Sequence, residues 1–332
     1  MKLVTFDAKG TQKLGAMTSD ESHVIDVQAA EIATKGAAYS AFQTMLSLIE
    51  GGEEALDKLR HLVEKGTSGE ISAACLPMNE VKLLAPVPVP VQMRDGMCFE
   101  KHLQQAIDQA MARDAAAAND PEKALAELKA SGGYKIPQVW YDQPIYYKAN
   151  RFAVTGTGTD VVWPSYSTYM DYEMEFGIFI GKKGKDISAE NARNYIFGYT
   201  VFNDFSARDA QLAEMAAQLG PAKGKDFDNA NVIGPCIVTA DEFKDPYNQE
   251  MIVRVNGTEM SRGSSSDMYW KFEDIIAHVS KGETLYPGEF IGSGTVGDGC
   301  GLEHGRALNA GDVVELEVSG IGVIRNRVLR ND

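Results

Sequence analysis

Two glutamates one pleat apart, Glu173 and Glu175, stand in the apolar run DYEMEFGIFIG. If that run is a strand, Met174, Phe176, Ile178 and Ile180 point one way and the two carboxylates point the other. A pair so placed can share a cation, although the commoner origin of an isolated Glu-x-Glu is the polar face of a half-exposed strand. Asp204 closes a second apolar run, GYTVFNDFSARDAQ, where a helix carrying Arg208 and Gln211 can begin. There it reads either as a helix cap or as a group displayed at a strand end. Asp95 and His102 share MRDGMCFEKHLQQ, a turn running into a helix. Lys225 precedes another strand in KGKDFDNANVIGP, and WYDQPIYYKAN offers Tyr146, Tyr147 and Lys148. GSGTVGDGCGLEHG holds Thr295 and Glu303 among glycines that allow backbone to approach a ligand closely, or that simply make tight turns. Taken one by one, these fragments justify only an acidic, β-rich globular chain in which an oxygen-ligand cation site is one reading among the blander ones.

The elements that must position these groups fall into two parts. KLVTFDAKGTQKLGAMTSDESHVIDV reads as a meander of short strands, and SAFQTMLSLIE and EEALDKLRHLVEKG read as helices, each closed by a glycine. His61 belongs to the surface of the second. Three prolines between Ala85 and Val91 suit an extended connector, which places a domain boundary near Pro86: a small N-terminal domain over 1–85 and a larger one over 86–332. HLQQAIDQAMARDAAAA and PEKALAELKA then read as a helical hairpin broken at Asn119-Asp120-Pro121, and β patterns dominate from Lys148 onward. The 332 residues include 32 glycines and 44% hydrophobic side chains, which favours a globular, turn-rich fold. A formal charge of −15 would repel phosphate backbones, so nucleic acid is a poor partner. No apolar run is long enough to span a membrane, and no secretory leader is apparent at the N-terminus. The four cysteines are scattered without a CxxC pair, which fits a reduced cytoplasm.

Read in order, DYEMEFGIFIG, FGYTVFNDFSARDAQ, KGKDFDNANVIGP, GSGTVGDGCGLE and GDVVELEVSGIGVIRNRV resemble the catalytic domain of the fumarylacetoacetate hydrolase family, over about residues 86 to 330. The most specific element is Glu-x-Glu followed some thirty residues later by Asn-Asp-x-Ser-Ala-Arg-Asp-x-Gln. The resemblance implies an α+β, β-rich fold: a mixed β-sandwich or roll, a small N-terminal α/β domain and a helical lid over about 96–134. It also implies that Glu173, Glu175 and Asp204 bind a metal, with Asp95 as a further ligand. His102 then matches a general base and Glu303 its carboxylate partner. Lys225, Arg208 and Gln211 match groups around the substrate oxygens; Tyr147 and Thr295 match substrate-contacting positions, with Lys148 beside them. Gln105 stands three residues after His102, where an acylpyruvase branch carries Glu, which points away from that branch.

Such a carboxylate set is a hard oxygen site, suited to Mg²⁺, or alternatively Mn²⁺ or Ca²⁺, rather than Zn²⁺. The activity implied is hydrolysis of a carbon–carbon bond in a small 1,3-diketo acid, through water activated by His102 and Glu303. The alternatives are a 2-oxo-acid decarboxylase, isomerase or dehydratase of the same superfamily, or a catalytically silent metal-binding domain. A homodimer is expected from the resemblance and from the many strand edges.

Overall fold

In the computed structural model, which describes residues 1–331, every residue of the strand Met174–Ile180 is buried. Its alternating sequence permits a half-exposed strand, but both faces are covered, so Glu175 is a buried charge that needs compensation. The strand pairs antiparallel with Ile196–Asp204 on one side, Glu175 opposite Phe202, and with Phe290–Gly292 on the other, Gly177 opposite Gly292. Phe290–Gly292 runs parallel to Met93–Gly96, which sets Gly292 beside Asp95, and Met93–Gly96 pairs in turn with Tyr146–Lys148, Asp95 opposite Tyr147. Because residues directly opposite in a ladder share a face, this register gathers Asp95, Glu175, Asp204 and Tyr147 on one side of the sheet.

That face continues into apolar packing. Phe290 lies with its ring 5.2 Å from those of both Phe179 and Phe202. The same cluster includes Leu3, Ile25, Leu48, Leu59 and Leu62 from the first eighty-five residues. The opposite face, with Phe176 and Ile178, belongs to a second cluster. It packs against a five-stranded sheet ordered Thr258–Ser264, Glu250–Val255, Val313–Val318, Gly322–Arg330 and Val161–Trp163. The architecture is therefore α+β and strand-rich, as the sequence implies.

The N-terminal strands extend the large sheet across the expected boundary near Pro86. Lys2–Ala8 pairs antiparallel with Asn231–Thr239, Leu3 opposite Ile237, and Thr11–Met17, His23–Asp26 and Cys75–Pro77 follow outward. Asp26 ends its strand by capping the helix Val27–Lys35, accepting from the Ala29 N–H. The helical run Met45–Ser68 is broken at Gly52, whose φ of 59° and ψ of −151° interrupt the helical hydrogen bonds where the sequence places one helix after another.

Glu100–Ala116 and Pro121–Ala130 form the hairpin read from the sequence. Asp120 caps the second helix by accepting from Lys123 N–H, with Pro121 in its first turn. The first helix buries Met111 and Ala115 and the second buries no residue, so apolar packing holds the pair only weakly.

Phe290 sits between the strands that carry Asp95 and Glu175, and its ring fills space shared by three strands. Phe290→Ala is expected to lower unfolding free energy by about 3–5 kcal/mol, the cost of emptying a close-packed aromatic site, as measured by denaturant titration. A loss below about 1 kcal/mol would mean that the aromatic contacts do not organise this face.

Candidate active site

Asp95, Glu175 and Asp204 are buried, and each offers a carboxylate oxygen within 4.8 Å of the other two. They come from three strands of one sheet: Met93–Gly96, Met174–Ile180 and Ile196–Asp204. Asp95 Oδ1 accepts from the Gly294 N–H at 3.1 Å, and Glu175 Oε1 from the Thr295 hydroxyl at 3.3 Å. Asp204 Oδ2 accepts from the Tyr147 hydroxyl at 2.6 Å and from Lys225 Nζ at 2.5 Å. Glu175 Oε2 and Asp204 Oδ1 have no hydrogen-bond partner among the described residues. Burial and the neighbouring Asp204 push Asp95 up to about 7. Burial and Asp95 push Glu175 well above the usual carboxylate range, and burial also raises Asp204. Three mutually repelling acids, two of them with an orphan oxygen, are what a hard divalent cation would stabilise, so these residues fit such an ion.

Gly292 lies between them. A Cβ there would fall 2.4 Å from Asp95 Oδ1 and 3.2 Å from Glu175 Oε2, so no side chain fits without moving the cluster.

Glu173 stands one pleat along and is held differently. Lys225 Nζ reaches its Oε2 at 2.5 Å and Arg208 Nη1 its Oε1 at 2.8 Å. Burial would raise this acid, but Arg208 and then Lys225 outweigh it and hold Glu173 well below the usual range. Lys225 thus bridges Glu173 and Asp204, and donates also to Ser206 Oγ at 2.9 Å. Glu214 helps to deliver it by accepting from the N–H groups of Ala222, Lys223 and Gly224, which shape the loop just before it. Arg208 is aimed by Asp171, whose Oδ2 accepts from Nε at 2.8 Å, and its Nη1 donates to Gln211 Oε1 at 2.9 Å. Asp171 is itself fixed by the N–H groups of Gly301 and Leu302.

Asp171, Ser206 and Asn203, which accepts from the Glu173 N–H at 3.0 Å, escape the reading by sequence. A signal for Asp171 was available, because it precedes Glu173 by two residues in the same alternation. Lys148 is the expected residue that the fold leaves out of the group. It is exposed and follows Tyr147 on a strand, so its side chain leaves by the opposite face.

His102 and Glu303 form the second half of the site. His102 Nδ1 lies 2.8 Å from Glu303 Oε1. An ionised carboxylate only accepts, so Nδ1 carries the proton and Nε2 is the nitrogen left for other work. Glu303 Oε2 accepts from the Cys300 N–H at 2.9 Å, which fixes the carboxylate. Cys300 forms a bridge with Glu173, so the pair adjoins the carboxylate cluster. Side chains stitch the helix of His102 to this loop. Gln105 donates to Asp298 Oδ1 at 2.6 Å and accepts from the Asp298 N–H at 3.0 Å, while Gln109 donates to the Glu303 carbonyl at 3.0 Å.

Residues 94–329 match the family described as Fumarylacetoacetate (FAA) hydrolase C-terminal. The chain belongs to the fumarylacetoacetate hydrolase family and is an enzyme of that superfamily. The bovine protein named oxaloacetate tautomerase FAHD2A, mitochondrial, is 31% identical over 333 residues, covering 99% of this chain and 92% of its own. Oxaloacetate tautomerase YisK of Bacillus subtilis is 29% identical, covering 99% and 100%. Among solved structures, a fumarylacetoacetate hydrolase from the psychrophile Exiguobacterium antarcticum matches both chains over their full length, with a TM-score of 0.71 and 27% identity. No helix among the described residues is long and apolar enough to cross a membrane.

The charge crowding has a measurable pH signature. Asp95 holds its proton to about pH 7 in the folded chain, against an ordinary value of 3.8. The stability this proton contributes is therefore complete below about pH 4 and lost as pH rises through about 7. The EDTA-treated protein is expected to show a Tm that falls from about pH 4 to about pH 7, and saturating Mg²⁺ to raise Tm most at the alkaline end. Scanning calorimetry that gives the same slope with and without the cation would separate the cluster from metal binding.

Proposed function

We propose that the chain is a divalent-metal-dependent enzyme that shifts a proton on a small 2-oxo acid, interconverting its enol and keto forms. One observation carries this reading: an imidazole with one nitrogen engaged by a buried carboxylate and the other free adjoins three buried acids, two of which carry an unpartnered oxygen. The two tautomerase relatives, aligned over nearly the whole chain, favour oxaloacetate-type diacids as the substrate class.

Asp95, Glu175 and Asp204 would hold Mg²⁺, with Mn²⁺ or Ca²⁺ as alternatives, and Glu173 would join by giving up a present contact to Lys225 or Arg208. Once bound, the cation supplies Lewis-acid polarisation of an adjacent carbonyl. His102 Nε2 takes the proton from one substrate atom and returns it to another, while Glu303 holds the ring in one tautomer and offsets its charge when protonated. Lys225, Gln211 and Arg208 favour the negative charge that develops on substrate oxygen, and the Tyr147 and Thr295 hydroxyls bind it from the side.

Hydrolysis of a 1,3-diketo acid is the second reading. The same oriented imidazole serves it if water, rather than a carbon acid, presents the proton, and the name of the Exiguobacterium neighbour favours it. The helices over 100–130 act as a lid in either case: their shallow burial, and their attachment through Gln105, Gln109 and His102, support closure driven by polar contacts. The edge strand Thr258–Ser264 supports a homodimer, which light scattering would report as twice 36.1 kDa.

His102→Gln is expected to bind Mg²⁺ as tightly as the wild type while losing about 10²–10⁴-fold in turnover. Calorimetry reads the first quantity, and ultraviolet loss of enol oxaloacetate reads the second. Mass spectrometry of diketo-acid mixtures separates tautomerisation from cleavage. A variant with undiminished turnover would remove His102 from the chemistry.

A further inference from the structure

Cys300 occupies an unusual position for a fully buried thiol. It belongs to neither hydrophobic cluster, and the side chains around it include Asp171, Glu303, Glu173 and Arg208. The thiols of Cys75 and Cys236 approach backbone carbonyls, whereas Cys300 Sγ has no hydrogen-bond partner among the described residues. Burial and then Asp171 push this thiol well above its ordinary value, so it rests uncharged and is a poor nucleophile.

A ring nitrogen of His102, Cys300 Sγ and a Glu303 oxygen all lie within 4.8 Å of one another. We propose that these three side chains form a second metal site, selective for Zn²⁺, whose occupation withdraws His102 from the reaction. Nitrogen, sulfur and oxygen in one set of three suit Zn²⁺, which commonly takes three protein ligands and one water, and do not suit Mg²⁺. The site is partly built before the ion arrives. Cys300 and Glu303 share a short loop in which the Cys300 N–H already fixes the second Glu303 oxygen. His102 is the partly exposed member, on a helix with few buried anchors, so it gives both a route of entry and the necessary movement. The 2.8 Å between Nδ1 and Oε1 must open to roughly 3.3 Å, the edge set by zinc bond lengths of about 2.0–2.1 Å. On binding, the thiol releases its proton to solvent and the imidazole keeps one proton on the nitrogen that the metal does not take. Two positive charges then offset the local excess of carboxylates that disfavours the thiolate.

The binding step stands apart from the proposed reaction; only inhibition rests on it. The test is a Co²⁺ titration of the full chain in excess Mg²⁺, following thiolate-to-cobalt charge-transfer absorption, with circular dichroism to check the fold of each variant. The band is expected in the wild type at one equivalent, to persist in Glu175→Gln, which disables the carboxylate cluster, and to vanish in both Cys300→Ser and Cys300→Ala. Zn²⁺ should displace the Co²⁺. It should also inhibit turnover of an oxaloacetate-type substrate, with a half-inhibitory concentration at least about a hundredfold higher in Cys300→Ser. No charge-transfer band in the wild type, or one undiminished in the Cys300 variants, would overturn the site. A normal band without inhibition would leave the site standing and count against the role given to His102.

Discussion

Like charges crowded onto one buried face of a sheet are the constraint around which the rest of this molecule is arranged. Burying ionised carboxylates costs several kcal/mol each unless counter-charge is close. Here the relief is divided. Lys225 and Arg208 neutralise Glu173 and half of Asp204, while Asp95 and Glu175 remain in each other's field. The division makes the site responsive, since a cation bound there would relieve Asp95 and Glu175, the acids that the protein's own cations leave unserved. It also explains how much machinery stands behind two basic side chains: Asp171 aims Arg208, and Glu214 shapes the loop that delivers Lys225.

Much of this could be read in the sequence because periodicity and spacing are local properties. The alternation around Glu173 and Glu175, the strand ending at Asp204 and the capped helix starting at Pro121 all follow from neighbours within a few residues. What stayed hidden depends on pairing between distant segments. That Glu173 faces two cations, whereas Glu175 faces Asp95, is decided by the register of strands that lie far apart in the chain. The exclusion of Lys148 follows from the pleat, but only once Tyr147 is known to face Asp204. Full burial of Met174–Ile180 was likewise invisible, because an alternating strand looks the same whether or not a layer covers its second face.

The two halves of the site are built on different principles. The carboxylates sit on central strands, where movement would break ladders on both sides. His102 sits on a helix attached largely through side-chain amides, with Gln105 gripping Asp298 through both its oxygen and its nitrogen. If the helices act as the lid proposed above, the charge cluster keeps its arrangement while access to it varies.

The ladder between Lys2–Ala8 and Asn231–Thr239 bears on how such a chain can diversify. Where a leading module is joined by a linker alone, recombination can exchange it freely. Here the first eighty-five residues contribute strands to the same sheet that displays Asp204, and side chains to the core beneath it. A replacement module would need an edge strand matching Ile237 and Val238 in both direction and register. Heredity is therefore expected to treat the two parts as a single unit, drifting together more readily than they are shuffled.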